Sequence, residues 1–277
     1  MKAILVPVEH HPSSAVLQIA LVVGHAFDSY IEGVPTGPSV PDDIVTDVGT
    51  LTAPDSGTRR EWAKNARQQF EAWMTAQSVP PRPEEPCGLC FGWHGDELVA
   101  DEALGCLGRA FDLIVVGRPG SGRDETRMAT VEAALFDSGR PVLIVPPLSS
   151  EPATLGDTIV VAWNGSTETA RAVSFAMPFL VRARQVIVLA VKGAVVDGPS
   201  GEQIAATLRL HDVKATARTV EDRLRSPGTT ILAQARELGA DLLVKGAYTQ
   251  SRLRELIFGG ATLHILQHAD LPVLMAH

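Results

Sequence analysis

The chain has 277 residues, enough for two ordinary domains, and its 45% apolar content can fill a sizeable core. A net charge of −8 argues against nucleic acid as a partner, because phosphate binding needs basic surface. No apolar run approaches the roughly 20 residues of a membrane span, the start MKAILVPV is too short for an export signal, and three cysteines make a disulfide framework unlikely, so cytoplasmic residence is the expectation.

Residues 3–8 form a short apolar run suited to a central parallel strand. Ser13 or Ser14, just behind Pro12, can cap the almost wholly apolar helix expected over 15–26. Residues 30–34 read as a second strand. Residues 35–57 are rich in Pro, Gly, Asp, Ser and Thr, and are expected to be a long surface loop. Over 59–77, Trp62, Ala66, Phe70 and Trp73 recur at helical spacing, and Pro80, Pro81, Pro83 and Pro86 keep that helix from running on. A strand is expected at 89–93, a helix at 96–109 and the clearest strand of this half at 113–116. The mixed charges of 123–127 read as an exposed loop. A helix over 126–138 stops at Gly139, and residues 142–145 close the unit.

After a Ser/Pro-rich linker at 148–155 the order repeats. Strand 159–163, the turn Asn164-Gly165-Ser166, helix 168–180 and strand 186–191 come first. Helix 201–211, strand 213–219, helix 229–238 and strand 242–244 follow. A glycine turn at 245–248, a helix after Ser251 and a last strand at 272–275 complete it. The repeat is visible in the letters: DLIVVGRPG from Asp112 matches DLLVKGAYT from Asp241, and PVLIV from Pro141 matches PVLMA from Pro272. Ile4 pairs with Ile159 at a larger offset, and the difference is close to the length of the 35–57 loop. Strands alternating with helices imply a parallel sheet covered on both faces. The fold class expected is therefore α/β, with two doubly wound five-stranded units in tandem, at 1–147 and 156–277.

The chain resembles a tandem universal stress protein. The carriers are ILVPV and IVVAWNGS at the unit starts, DLIVVG and DLLVKG at the fourth strands, and GRPVLIVPP and ADLPVLMAH at the unit ends. SRLRELIFGGATLHILQHADLPVLMAH is the stretch most like the family's C-terminal pattern. The resemblance implies a stress-responsive, non-enzymatic regulatory protein with no required cofactor, in which ATP or another adenine nucleotide can bind in the second unit. The alternative is an ATP-binding protein that hydrolyses nucleotide slowly.

Nucleotide-binding members use Gly, two residues, Gly, nine residues, Gly, then Ser or Thr. Here the first glycine is Gly246, the second is replaced by Thr249, Gly259 is in register, and Gly260 stands at the hydroxyl position with Thr262 nearby. Arg252 adds positive charge, and Ala162 and Asn164 are the expected adenine-side residues, with Asn164 replacing the family's Asp. Such a turn offers backbone N–H groups at a helix start to phosphate. In the first half Gly117 and Gly120 fit, but Met128 and Ala129 occupy the later positions and Glu9 the adenine-side one. Intact motifs would favour a ligand; the replacements favour a protein acting through conformation and partners.

Each unit ends on a short apolar strand that would leave an edge open, and open edges are normally paired. Residues 142–145 and 273–275 are therefore expected to lie against each other, making one chain imitate a dimer. A further homodimer stays open, and neither nucleic acid nor membrane is expected as a partner. Cys87 and Cys90 form one CxxC running into a strand, which reads as core packing rather than metal or redox chemistry. His10 and His11 have no acid or nucleophile to pair with.

Overall fold

In the computed structural model, which describes residues 1–9, 13–37, 56–84, 88–120, 126–148, 152–224, 226–247 and 260–277, ten strands form one sheet. The first half supplies β1 (Ala3–Val8), β2 (Tyr30–Pro35), β3 (Cys90–Trp93), β4 (Leu113–Gly117) and β5 (Val142–Val145). The second supplies β6 (Thr158–Ala162), β7 (Gln185–Val191), β8 (Ala215–Val220), β9 (Leu242–Gly246) and β10 (Val273–Ala276). Their order across the sheet is β3-β2-β1-β4-β5-β10-β9-β6-β7-β8. Each half thus gives five neighbouring parallel strands in the same order, without interleaving.

The halves join where β5 and β10 run antiparallel. Leu143 pairs with Leu274, flanked by Val142 with Met275 and Ile144 with Val273, so a local two-fold passes through the leucine pair. The expected pairing of the two terminal edges is what the structure has, and it fuses the units into a continuous sheet. Arg118 of the first half reaches across to donate to Ala269 O at 2.9 Å. The rings of Phe136 and His277 meet edge to face across the same junction, 4.8 Å apart.

Among the described residues eight helices cover the sheet: α1 (Ser14–Phe27), α2 (Ser56–Ala76), α3 (Asp101–Gly108), α4 (Met128–Asp137), α5 (Thr167–Leu180), α6 (Gly201–Arg209), α7 (Pro227–Glu237) and α8 (Gly260–His268). Strand residues alternate between two cores. Ile4, Val6, Leu143, Val161, Val244 and Leu274 face α1, α2, α5 and α6. Leu5, Val116, Ile144, Leu243 and Met275 face α3, α4, α7 and α8. Burial on both faces is why these strands read as unbroken apolar runs.

Two departures from the sequence reading have local causes. The helix expected from residue 96 begins only at Asp101, because Val99 makes a parallel bridge to Thr36 and donates to Pro35 O, holding the chain beside β2. On α2 the fully buried side chains are Ala63, Ala66, Phe70 and Met74, while Trp73 is only partly buried against the same core. Ser13 stands at the N-cap of α1 without a side-chain hydrogen bond. The loop read at 35–57 lies mostly outside the described residues.

The aspartates that mark the repeat have a shared structural task. Asp112 accepts from the backbone N–H of Lys2 and Ala3, and Asp241 from those of Gly156, Asp157 and Thr158. Each carboxylate fastens the entry of its half's first strand to the start of the fourth. Burial pushes the Asp112 carboxyl up, but the two N–H groups, the N-terminus and Arg140 bring it below the usual range.

Candidate functional site

In each half the strand order reverses direction around the first strand, at β1 between β2 and β4 and at β6 between β7 and β9. Crevices at the C-terminal ends of strands at such a switch point are where open α/β sheets bind ligands. The two crevices of this chain are built differently.

In the second half the crevice lies between the ends of β6 and β9 and the starts of α5 and α8. Ala162 ends β6 and is buried. The side-chain oxygen of Asn164 accepts from Ser166 N at 3.2 Å and from the Thr169 hydroxyl at 2.6 Å, so it shapes the turn into α5. Ser166 caps that helix by accepting from Thr169 N. Gly246 is the last residue of β9 rather than part of a turn. A Cβ there would sit 2.4 Å from Thr169 N and 2.7 Å from Glu168 C, so only glycine lets β9 end against the start of α5. Asn164 and Gly246 thus converge on Thr169, a residue the sequence reading did not single out.

Lys245 was missed as well. It is buried on the α8 face of the sheet, 7% exposed. Its ammonium donates to Gly246 O at 2.7 Å and to the Thr262 hydroxyl at 2.8 Å. Burial pushes its pKa down to about 8. The signal was available: the matching position in the first-half repeat is Val116, so a charge interrupts an otherwise apolar run. Thr262 is buried under this bond, whereas Gly260, the first residue of α8, is exposed, with nothing among the described residues within 4 Å of where a Cβ would be. Thr249, Arg252 and Gly259 lie outside the described residues.

The outer side of this crevice is occupied by the chain that follows β7. Val196 N donates to Asn164 O at 2.8 Å, and the Trp163 indole N–H donates to Pro199 O at 2.7 Å. Gly165, at φ +85°, and Gly198 bring the two backbones together, since a Cβ on Gly198 would meet Gly165 O at 2.6 Å. Val195 and Val196 are left half exposed on this segment.

The first-half crevice is filled by charged side chains. Arg127, the N-cap of α4, makes a two-pronged pair with Asp101 at 2.6 and 2.9 Å. Its backbone N–H donates to Glu9 Oε1 at 3.3 Å. Asp101 is buried at the start of α3 and also accepts from Thr130. Burial raises the Glu9 pKa, opposed by the N–H and charge of Arg127 and reinforced by the charge of Asp101. Arg127, read from sequence as loop charge, therefore carries a partly buried network. Gly117 is packed against Thr126, whose hydroxyl would be 2.4 Å from a Cβ. Gly120 donates to Thr126 O. Met128 and Ala129 form the first turn of α4.

Among the described residues no group of three His, Cys, Asp or Glu is placed to hold a metal, and no helix is long and apolar enough to cross a membrane. Cys90 is buried on β3 and Cys106 is exposed on α3. Cys87, His10 and His11 lie outside the described residues.

Residues 156–277 match the model of the universal stress protein family. A 49-residue segment, 18% of this chain, is 37% identical to stress response protein NhaX of Bacillus subtilis (strain 168), and the match spans only 30% of that protein's length. Over 99% of this chain and 97% of the other, the fold is similar to that of a universal stress protein from Archaeoglobus fulgidus DSM 4304, with TM-score 0.67 and 16% identity. A putative universal stress protein from Pseudomonas aeruginosa UCBPP-PA14 is similar over 100% and 93%, with TM-score 0.58 and 15% identity.

Proposed function

Taking residues 156–277 as a universal stress protein domain, within a chain that has the fold of such proteins throughout, we propose that this protein is a non-enzymatic regulator of a stress response that holds an adenine nucleotide in its second half only. The units in this reading are 1–147 and 156–277, and the working compartment is the cytoplasm. The observation that supports it is the contrast between the two crevices. The first already contains an arginine with two carboxylates of its own, Glu9 and Asp101. The second has the neutral Asn164, turned toward α5, and Lys245 beside the start of α8, whose bonding partners among the described residues are neutral. An incoming phosphate is repelled in the first and attracted in the second.

The purine would lie by Ala162–Asn164, where residues 196–199 now pack. Binding then has to lift that segment from Asn164, which changes the surface carrying Val195 and Val196. Ligand occupancy becomes a change of shape that a partner can read, without any reaction.

The test is to denature the purified full chain and separate the released small molecules by chromatography, alongside thermal unfolding with and without added ATP. The expected result is adenine nucleotide at no more than one per chain, or a rise in melting temperature with ATP. No released nucleotide together with no ATP-dependent rise would overturn the reading.

A further inference from the structure

Independently of any ligand, we propose that His264 and His268 form a pH sensor that loosens α8 from α7 on acidification. The two rings are stacked on α8, with 4.3 Å between centroids and planes 16° apart. His264 also ties the two helices together. The Thr229 hydroxyl on α7 donates to Ser226 Oγ at 2.9 Å, which leaves its oxygen to accept from His264 Nε2 at 3.0 Å. Neutral His264 therefore carries its proton on Nε2 and takes the second on Nδ1. His268 Nδ1 donates to His264 O at 2.9 Å, so that ring gains charge at Nε2. The helices are close at this point, since a Cβ on Gly228 would lie 3.0 Å from Ala261 O and from His264 Cβ. A ring displaced from Thr229 thus changes how α7 and α8 pack.

With His268 charged, a proton on His264 sets two cations face to face, and like charges so close disfavour the second proton. Burial and the charge of His268 hold the His264 pKa below its ordinary 6.5. Among the described residues the charged groups of the neighbouring elements do not relieve this. On α7, Arg236 pairs with Asp270 and Glu237 with Arg218. Asp222, ahead of α7, accepts from Ser226 N and the Thr230 hydroxyl. Lys245 of β9 donates to Thr262 and Arg118 to Ala269 O, so both bring more positive charge to α8. The unfolded chain protonates His264 at the ordinary 6.5, and the folded chain only at lower pH. The stability this contact gives is therefore full above pH 6.5 and lost as pH falls through the folded value.

Thermal unfolding of the full chain between pH 7.5 and 5, with NMR titration of the imidazoles, tests this in wild type, His264→Gln and His268→Gln. Glutamine at 264 keeps a donor for Thr229 and does not titrate. Folding is checked first by circular dichroism; should His264→Gln fail to fold, His268→Gln carries the same test, because the exposed His268 bonds within its own helix. Between pH 7.5 and 5 wild type is expected to lose at least about 2 °C more than either variant. The His264 midpoint should rise in His268→Gln. Hydrogen exchange, corrected for its intrinsic pH dependence, should quicken in α7 and α8 peptides of wild type at pH 5.5 and stay unchanged in the variants. Equal pH slopes in all three proteins, or a His264 midpoint unmoved by His268→Gln, overturns the proposal. Exchange in α7 and α8 that does not respond to acid in wild type overturns it as well.

Discussion

Aspartate at Leu143 or Leu274 unfolds the whole chain rather than one half. Both leucines are fully buried and face each other at the centre of the β5–β10 junction. A carboxylate there sits in the apolar cluster to which both leucines belong, and it either stays charged in that core or takes up a proton at neutral pH. The penalty is on the order of 4 kcal/mol or more, a large share of the roughly 5–15 kcal/mol that holds a domain folded. The damage is shared because each strand covers the other's edge, and separation would expose both rows of backbone groups. Urea unfolding followed by circular dichroism and by tryptophan fluorescence should give one transition in wild type and a collapsed or missing transition in either variant. A variant that keeps a stable half with its own transition contradicts the fused-sheet account.

Lys245→Met should make the unliganded protein more stable at neutral pH. The folded pKa of Lys245 is about 8 against the ordinary 10.5, so the native state holds its proton less well than the unfolded chain. Below pH 8 both states are protonated and the full penalty of the buried charge is present. Between pH 8 and 10.5 the unfolded chain binds more protons, so wild-type stability rises with pH through that window. Methionine removes the penalty at every pH, minus the loss of two hydrogen bonds, for a net gain on the order of 2 kcal/mol at pH 7. Melting curves between pH 7 and 10 should therefore diverge at the low end and converge at the high end. The range stops at 10 because Tyr30, pushed up to about 12 by burial and by Glu32, makes stability fall with pH beyond that. A variant less stable than wild type at pH 7, with an unchanged pH slope, would refute the buried-charge account. The same substitution is expected to weaken anion binding, as for other sites where charge is kept for function at a cost in stability.

The fold was legible because its strands are buried on both faces. LIVV from Leu113 and VLIV from Val142 need no partner to be recognised as central strands, and the edge argument placed β5 against β10. What stayed hidden depends on contacts distant in sequence. The late start of α3 follows from the bridge of Val99 to Thr36, 63 residues earlier, which no local propensity reveals. One local feature also went unread: the Asn164 oxygen shapes the turn into α5 through Ser166 and Thr169. Arg127 looked like solvated charge, yet its partners are Glu9 and Asp101, from two other segments. Lys245 was read as the opening of a glycine turn because a lysine seldom continues a core strand; β9 in fact runs through it to Gly246.

The asymmetry of the two crevices is tested most directly by hydrogen exchange of the full chain with and without ATP, read by mass spectrometry. Slowed exchange is predicted in the β6–α5 turn, at the end of β9 and in the first turns of α8, with peptides around Glu9, Gly117 and Arg127 unchanged. Protection confined to the first-half peptides, or spread equally over both crevices, would contradict the account.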